Sequence, residues 1–137
     1  MNREILFKAK RIDNGEWVEG YYVKTRLGTD IKPSDVIFVP FKINRNEEWG
    51  WIKIDPDTLC QYTGLTDKYG KKIWENDILR NEKGDIGVVQ WFEEHDAFMI
   101  WNKTKHYICY LAENDFSKIE IAGNEFDNPE LLEVEYE

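Results

Sequence analysis

Polar and apolar residues alternate along much of the chain with a period of two, which is typical of half-buried β-strands. Over residues 3–10 the residues Ile5, Phe7 and Ala9 fall on one face of a predicted strand. The pair Asn14-Gly15 follows, and it predicts a type I′ turn, because both central positions of that turn need positive φ. A hairpin with a return strand over residues 16–23 is therefore expected.

The rest of the chain shows the same pattern of short strands between turn residues. Polar stretches at 24–35 and 44–48 predict loops, and Asp55-Pro56-Asp57 predicts a turn. One short helix is expected from Asn128 to about Val134, with Asn128 as its cap and Pro129 in its first position. Further strands are predicted at 36–41, 49–54, 58–62, 72–74, 78–80, 86–92, 97–102, 107–112 and 118–122. Many short strands at intervals of roughly 8–12 residues predict a mainly β fold, a small barrel or sandwich.

Charge is distributed unevenly along the 137 residues, whose formal net charge is −9. Residues 1–60 carry ten basic and ten acidic side chains, whereas residues 113–137 carry nine acids and one base, Lys118. Binding to duplex DNA or to an anionic membrane needs an excess of Lys and Arg, so the overall balance argues against both. Arg3, Lys8, Lys10 and Arg11 form a weak basic patch, which we interpret as solvated strand positions.

The polar start of the sequence and its short apolar runs predict where in the cell the protein lies. Met1 leads directly into a polar, alternating segment, which is unlike an apolar signal sequence. No apolar run approaches the roughly 18 residues that span a bilayer. We therefore expect a cytoplasmic protein in which Cys60 and Cys109 stay reduced and act as small apolar side chains.

No motif in the sequence predicts catalysis, and no cofactor is expected. Residues 64–72 resemble a phosphate-binding loop, but five residues separate Gly64 from Gly70 and no hydroxyl residue follows Lys71, so a hairpin turn is the better interpretation. Residues 93–96 (EEHD) could hold an acid–base pair, yet such a turn keeps its carboxyls hydrated. Metal binding by His95, His106, Cys60 and Cys109 is disfavoured by their spacing.

Aromatic side chains exceed what one small core requires, with six Trp, seven Tyr and seven Phe. Some could form a subunit interface, where Tyr and Trp concentrate. Others could form a platform on which single-stranded bases stack. Because the aromatic residues have few basic neighbours in the sequence, we favour a core plus an oligomer interface.

Several segments carry a resemblance to a known family. REILFKAK at residues 3–10 and DNGEWVEG at 13–20 resemble the start of the YopX family of phage and prophage proteins. The resemblance is most specific over residues 61–79, QYTGLTDKYGKKIWENDIL, and it continues through residues 87–91, 121–124 and 127–132. The eight motif positions to which we give a structural role are Gln61, Tyr62, Thr63, Gly64, Gly70, Trp74, Asn76 and Asp77.

Structural roles for these positions follow from their residue types. Gly64 and Gly70 are expected in turns, Tyr62 and Trp74 in the core, and Asp77 as an acceptor that anchors a loop. The family usually has Gly where this chain has Asn76, and Asn is the residue other than Gly that best tolerates positive φ.

The resemblance implies a single domain over residues 1–137, with a β-hairpin unit over about 1–60 and an SH3-like small barrel over about 61–126. A short helix and an acidic tail would complete the domain at 127–137. It also implies a phage or prophage origin, hence a bacterial host cytoplasm, and a homo-oligomer, but no catalytic residues.

Three functional hypotheses remain open from the sequence. The favoured one is a non-enzymatic accessory protein that associates with itself and acts through protein contacts. A basic host or phage protein could bind the acidic tail at Glu130, Glu133, Glu135 and Glu137. The alternatives are a single-stranded nucleic-acid binder that uses exposed aromatic residues and, less favoured, an enzyme with its site in a subunit cleft.

Overall fold

The computed structural model describes residues 4–40, 50–102 and 107–133, and these residues are mainly β. The chain divides into two compact units, Met1–Tyr62 and Thr63–Glu137. The sequence predicted a division near residue 60. No helix in the described residues is long and apolar enough to cross a bilayer.

The first unit contains an antiparallel sheet with the strand order β4-β3-β2-β1-β5. Strand β5 begins in this unit, where Phe7 of β1 pairs with Gln61, and continues into the second unit. A 3-10 turn at Pro56–Thr58 precedes β5, with the Asp55 carboxylate accepting from the Asp57 N–H as its cap. The strands are β1 (Phe7–Lys10), β2 (Trp17–Thr25), β3 (Ser34–Val39), β4 (Gly50–Lys53) and β5 (Cys60–Thr66).

The predicted β1–β2 hairpin is confirmed, but its predicted turn type is wrong. Gly15 has φ of 73°, whereas Asn14 does not have the positive φ that a type I′ turn requires. The Arg11 N–H bonds to the Glu16 carbonyl, so four residues lie in the loop rather than two. Asn14 uses its side-chain oxygen to accept from the Glu16 N–H at 2.9 Å, which stabilises the longer loop locally.

One face of the first sheet forms the core of its unit. Tyr22 lies opposite Ile37 in the β2–β3 register, and Ile37 lies opposite Ile52 in the β3–β4 register, so these side chains share a face. An isolated bridge between Arg11 and Ile54 joins the residue after β1 to the residue after β4. The buried members of the core are Ala9, Ile37, Val39, Ile52 and Ile54.

The second unit is built around a five-stranded antiparallel sheet with the order β10-β9-β8-β7-β11. Its short connections include 3-10 turns at Glu93–His95, Leu111–Glu113 and Phe116–Lys118. The end of β5 and the short β6 lie side by side in this unit. The strands are β6 (Lys72–Trp74), β7 (Asp77–Arg80), β8 (Ile86–Phe92), β9 (Ala97–Asn102), β10 (Tyr107–Tyr110) and β11 (Glu120–Asn124). Buried residues of its core are Ile73, Leu79, Val89, Phe98, Ile100, Leu111 and Ile119.

Two finer predictions for this half of the chain are not confirmed. Strands β10 and β11 lie at opposite ends of the sheet order, and no ladder between them closes a barrel in the described residues. In place of the predicted helix, Pro129–Leu132 form one 3-10 turn, and Val134 lies outside the described residues. Asn128 does not cap that turn, because its side-chain oxygen accepts from the Asn124 N–H at 3.2 Å instead.

Candidate functional site

The motif of residues 61–77 is mainly structural. Tyr62 and Trp74 are buried, as the sequence predicts. The Thr63 hydroxyl, also buried, donates to the Ile73 carbonyl at 2.7 Å and accepts from the Leu65 N–H at 3.2 Å. This hydroxyl therefore ties the end of β5 to β6.

The two motif glycines have different positions. Gly70 has φ of 80° in the turn between β5 and β6, as expected. Gly64 also has positive φ, 88°, but it lies inside strand β5 rather than in a turn. The prediction of a turn at Gly64 is therefore wrong, and its positive φ explains why glycine suits this position inside the strand.

Asn76 and Asp77 form a tight connection between β6 and β7. Asn76 has φ of 72°, and its backbone N–H donates to the Val89 carbonyl at 2.7 Å. Asp77 is buried, and its carboxylate accepts from the Trp74 N–H at 2.8 Å. The expectation that Asp77 anchors this loop agrees with that hydrogen bond.

Asp67 is a further anchor of the motif, and its role was not predicted from the sequence. Its side chain is only 5% exposed. One carboxylate oxygen accepts from the N–H groups of Tyr69 and Lys71 at 2.9 and 3.0 Å, and the other accepts from the Ile121 N–H at 3.1 Å. Burial raises the pKa of Asp67, but these three donors and the Lys71 charge outweigh it and leave the pKa below its usual value.

The two edges of the second sheet differ in how they are protected. At the β11 edge, the N–H of Ile121 donates to Asp67 and the N–H of Asn124 donates to Asn128. The β11–β7 register also shifts between Ile121 and Gly123. Such a bulge, together with donors that are already bonded, prevents another strand from pairing at this edge.

Strand β10 forms the opposite edge, and no other described strand lies beyond it in the sheet order. Its sequence, Tyr-Ile-Cys-Tyr, contains no charged residue. Ile108 is 44% exposed and Tyr110 is 38% exposed. Natural edge strands are protected by charge, proline, a bulge or short length; β10 is only four residues long, but it has no charge, no proline and no register shift.

An aromatic face lies on the first sheet, on the side opposite its core. Tyr21, Phe38 and Trp51 lie directly opposite one another across β2, β3 and β4. Tyr21 is 46% exposed and Trp51 is 54% exposed, and the Phe38 and Trp51 rings are 4.7 Å apart between centroids. Trp17 lies on the same face, with the Lys8 ammonium 4.6 Å and the Lys10 ammonium 5.5 Å from its ring centroid.

A cleft of about 620 Å³ lies at one end of the second sheet, between β7, β8 and the turn before β11. Its volume is within the usual range for small-molecule sites. Among its lining residues, the amides of Asn102 and Asn114 already donate to backbone carbonyls, and Arg80 contacts Glu120 at 3.4 Å. Four further charged residues, Glu82, Lys83, Asp85 and Lys118, also line the cleft.

Other predicted candidates are not brought together. Among the residues that the structure describes, no group of three His, Cys, Asp or Glu side chains could hold a metal ion. Cys60 is buried and Cys109 half-buried, while His106 lies outside the described ranges. Residues 93–96 are exposed at a turn, as predicted.

The acidic tail is described only in part. Glu130 and Glu133 are exposed, and Glu135 and Glu137 lie outside the described residues. A basic partner for these four side chains stays a prediction. Nearby, burial raises the pKa of Glu125, and the hydrogen bond from Gln90 at 3.3 Å opposes that rise.

The fold and these surfaces define a small, mainly β protein made of two antiparallel sheet units with exposed aromatic surfaces. Within that class, the family model described as YopX protein matches residues 6–133. The chain belongs to this family, and the resemblance drawn from its sequence segments is confirmed. No curated protein matches the sequence.

Proposed function

We propose that this chain is a non-enzymatic protein of phage or prophage origin that associates with itself in the cytoplasm of a bacterial host. The observation that supports self-association is the contrast between the two edges of the second sheet. Asp67 and Asn128 bind the outer N–H groups at β11, while β10 carries exposed apolar side chains and no charge.

A second copy of the chain is the proposed partner of β10. Two β10 strands related by a twofold axis would pair antiparallel and join two five-stranded sheets into one. Ile108 and Tyr110 would lose their exposure in this arrangement, and apolar burial stabilises it. Because β11 is blocked, the five-stranded sheet of each copy offers one edge, and pairing through β10 closes at two copies instead of growing into a fibre.

The order and pairing of the strands in the second unit also support a proposal about its fold. We propose that it is an SH3-like sheet that stays open at β10. Five short antiparallel strands support this proposal, as does the pairing of the last strand, β11, with the first strand of the sheet, β7. Closure of a barrel would require β10 to meet β11, and that would remove the edge used for self-association.

Light scattering coupled to size exclusion tests the proposal, with Ile108→Lys as the main variant. The wild type is expected to have twice the mass of one chain, and Ile108→Lys the mass of a single chain, because a charge at the edge opposes pairing. Ile31→Lys is the matched control, since Ile31 is also exposed but lies in the first unit. A monomeric wild type, or a dimer that survives Ile108→Lys, would contradict the proposal.

A further inference from the structure

We propose that the aromatic face of the first unit, formed by Trp17, Tyr21, Phe38 and Trp51, binds single-stranded nucleic acid. This surface belongs to strands β2, β3 and β4, whereas the proposed self-association uses β10 of the second unit. The two proposals therefore rest on different residues and can fail separately.

The row of aromatic rings provides a stacking surface. Tyr21, Phe38 and Trp51 occupy facing positions on three adjacent strands, and neighbouring strands are about 4.8 Å apart. The row therefore spans roughly 10 Å, enough for two or three bases. Exposed rings on a sheet surface stack on bases of any sequence, because every base has a π-face.

Lysine residues surround the row on the same face. Lys8 and Lys10 lie opposite Glu19 and Trp17 in the β1–β2 register, so their side chains point to the aromatic side of the sheet. Lys53 lies two positions after Trp51 on β4 and contacts Asp30 at 3.2 Å. Among the described residues, two carboxylates stand against these three cations, Glu19 on the face and Asp30 beside Lys53, which leaves an excess of one lysine.

The net charge of the whole chain does not conflict with this local surface. Most of the excess acid lies in residues 113–137, which belong to the second unit, while residues 1–60 are balanced. Phosphates attract Lys and Arg over a distance of about one Debye length, roughly 8–10 Å. A local excess of lysine beside stacking rings is therefore sufficient for weak, salt-dependent binding.

The same charges favour nucleic acid over a second copy of the chain as the occupant. A symmetric contact between two such faces would bring an excess of lysine against the same excess, and like charges at an interface oppose association. A phosphate backbone instead brings the opposite charge, and its bases match the rings.

Fluorescence anisotropy with a labelled twelve-nucleotide oligo-dT, and with a duplex of equal length, tests the proposal at low salt. Trp51→Ala is expected to weaken binding of the single strand roughly 5- to 150-fold, because one base–aromatic stack contributes about 1–3 kcal/mol. Trp51→Phe keeps a ring and should retain most of the affinity, which separates loss of stacking from misfolding. Lys8→Gln should lower the slope of log K against log salt by roughly 0.7.

Controls come from the second unit, where Tyr69 and Lys83 are exposed. Tyr69→Ala and Lys83→Gln should leave affinity and salt dependence unchanged. No anisotropy change at low salt, equal affinity for the duplex, or equal losses from the control variants would overturn the proposal. A fall in mass to one chain on Trp51→Ala would also overturn it, because the face would then be covered by a second copy.

Discussion

Asp67 joins two segments of the second unit, the β5–β6 turn and β11, so removing its charge should weaken that unit measurably. Its carboxylate accepts from Tyr69 and Lys71 in the β5–β6 turn and from Ile121 in β11. A hydrogen bond to a charged group contributes about 1.5–3 kcal/mol, and an unsatisfied buried donor costs about 1–3 kcal/mol. Asp67→Asn keeps one carbonyl oxygen and places an NH₂ group near a donor.

We therefore expect Asp67→Asn to lower the free energy of unfolding by about 2 kcal/mol at pH 7. Asp67→Ala should lower it by about 3–5 kcal/mol, because all three donors lose their acceptor. Urea denaturation followed by tryptophan fluorescence measures both changes. Glu94→Gln is the matched control, because it removes one negative charge from an exposed position in the same unit.

The pH dependence of the difference in unfolding free energy between wild type and Asp67→Asn provides a sharper test. The pKa of Asp67 is lowered in the folded state, so its stabilisation is present above the unfolded pKa of about 3.9 and is lost as pH falls through the folded pKa. The difference in unfolding free energy between wild type and Asp67→Asn should therefore become smaller below about pH 4. A difference that is the same at pH 7 and pH 3, or no destabilisation at pH 7, would refute the reasoning.

Two further substitutions test local geometry by thermal or urea denaturation. Asn76→Ala should lower the free energy of unfolding by about 1 kcal/mol or more, because Asn76 has φ of 72° and Ala tolerates the left-handed region poorly. Asn76→Gly should lower it less, and equal effects of the two substitutions would contradict this explanation. Tyr22→Phe should lower the free energy of unfolding by about 1–2 kcal/mol, because it removes the hydroxyl's hydrogen bond to Asp35, which is 2.5 Å long. That bond is the main cause of the raised pKa of Tyr22, and burial adds to it. The stabilisation by the hydroxyl should therefore persist up to about pH 10 and fall as pH rises through the folded pKa. A loss of stability in Tyr22→Phe that does not change with pH would contradict this explanation.

Local sequence patterns were sufficient to predict many of the strands and the conformation of several motif positions. Alternation and turn residues predicted the β1–β2 hairpin and the β8 and β9 strands, since these depend on neighbours in sequence. The positive φ of Asn76 could be predicted for the same reason, because few residue types tolerate it. Details that depend on side-chain competition were not predictable: Asn14 could fill a type I′ turn or bond to the Glu16 N–H, and it does the latter.

Long-range contacts explain what the sequence did not show. Asp67 could have been noticed as a turn former, because Asp often accepts from the N–H two residues later, as it does from Tyr69. Its bond to Ile121, 54 residues away, has no local signal. Likewise, the sequence predicted a strand at 107–112, but its position at the sheet edge depends on the order in which five strands pair.

The blocked β11 edge leads to a final prediction that joins stability to assembly. If Asp67 prevents pairing at β11, then Asp67→Ala should release the Ile121 N–H and give the sheet two open edges. A sheet with two open edges can grow without closing, so light scattering should show species larger than the proposed dimer, in amounts that increase with concentration. Adding Ile108→Lys removes one edge and should limit growth to two copies. If Asp67→Ala keeps the wild-type mass at every concentration, then the bulge and Asn128 protect β11 without Asp67, and its carboxylate serves stability alone.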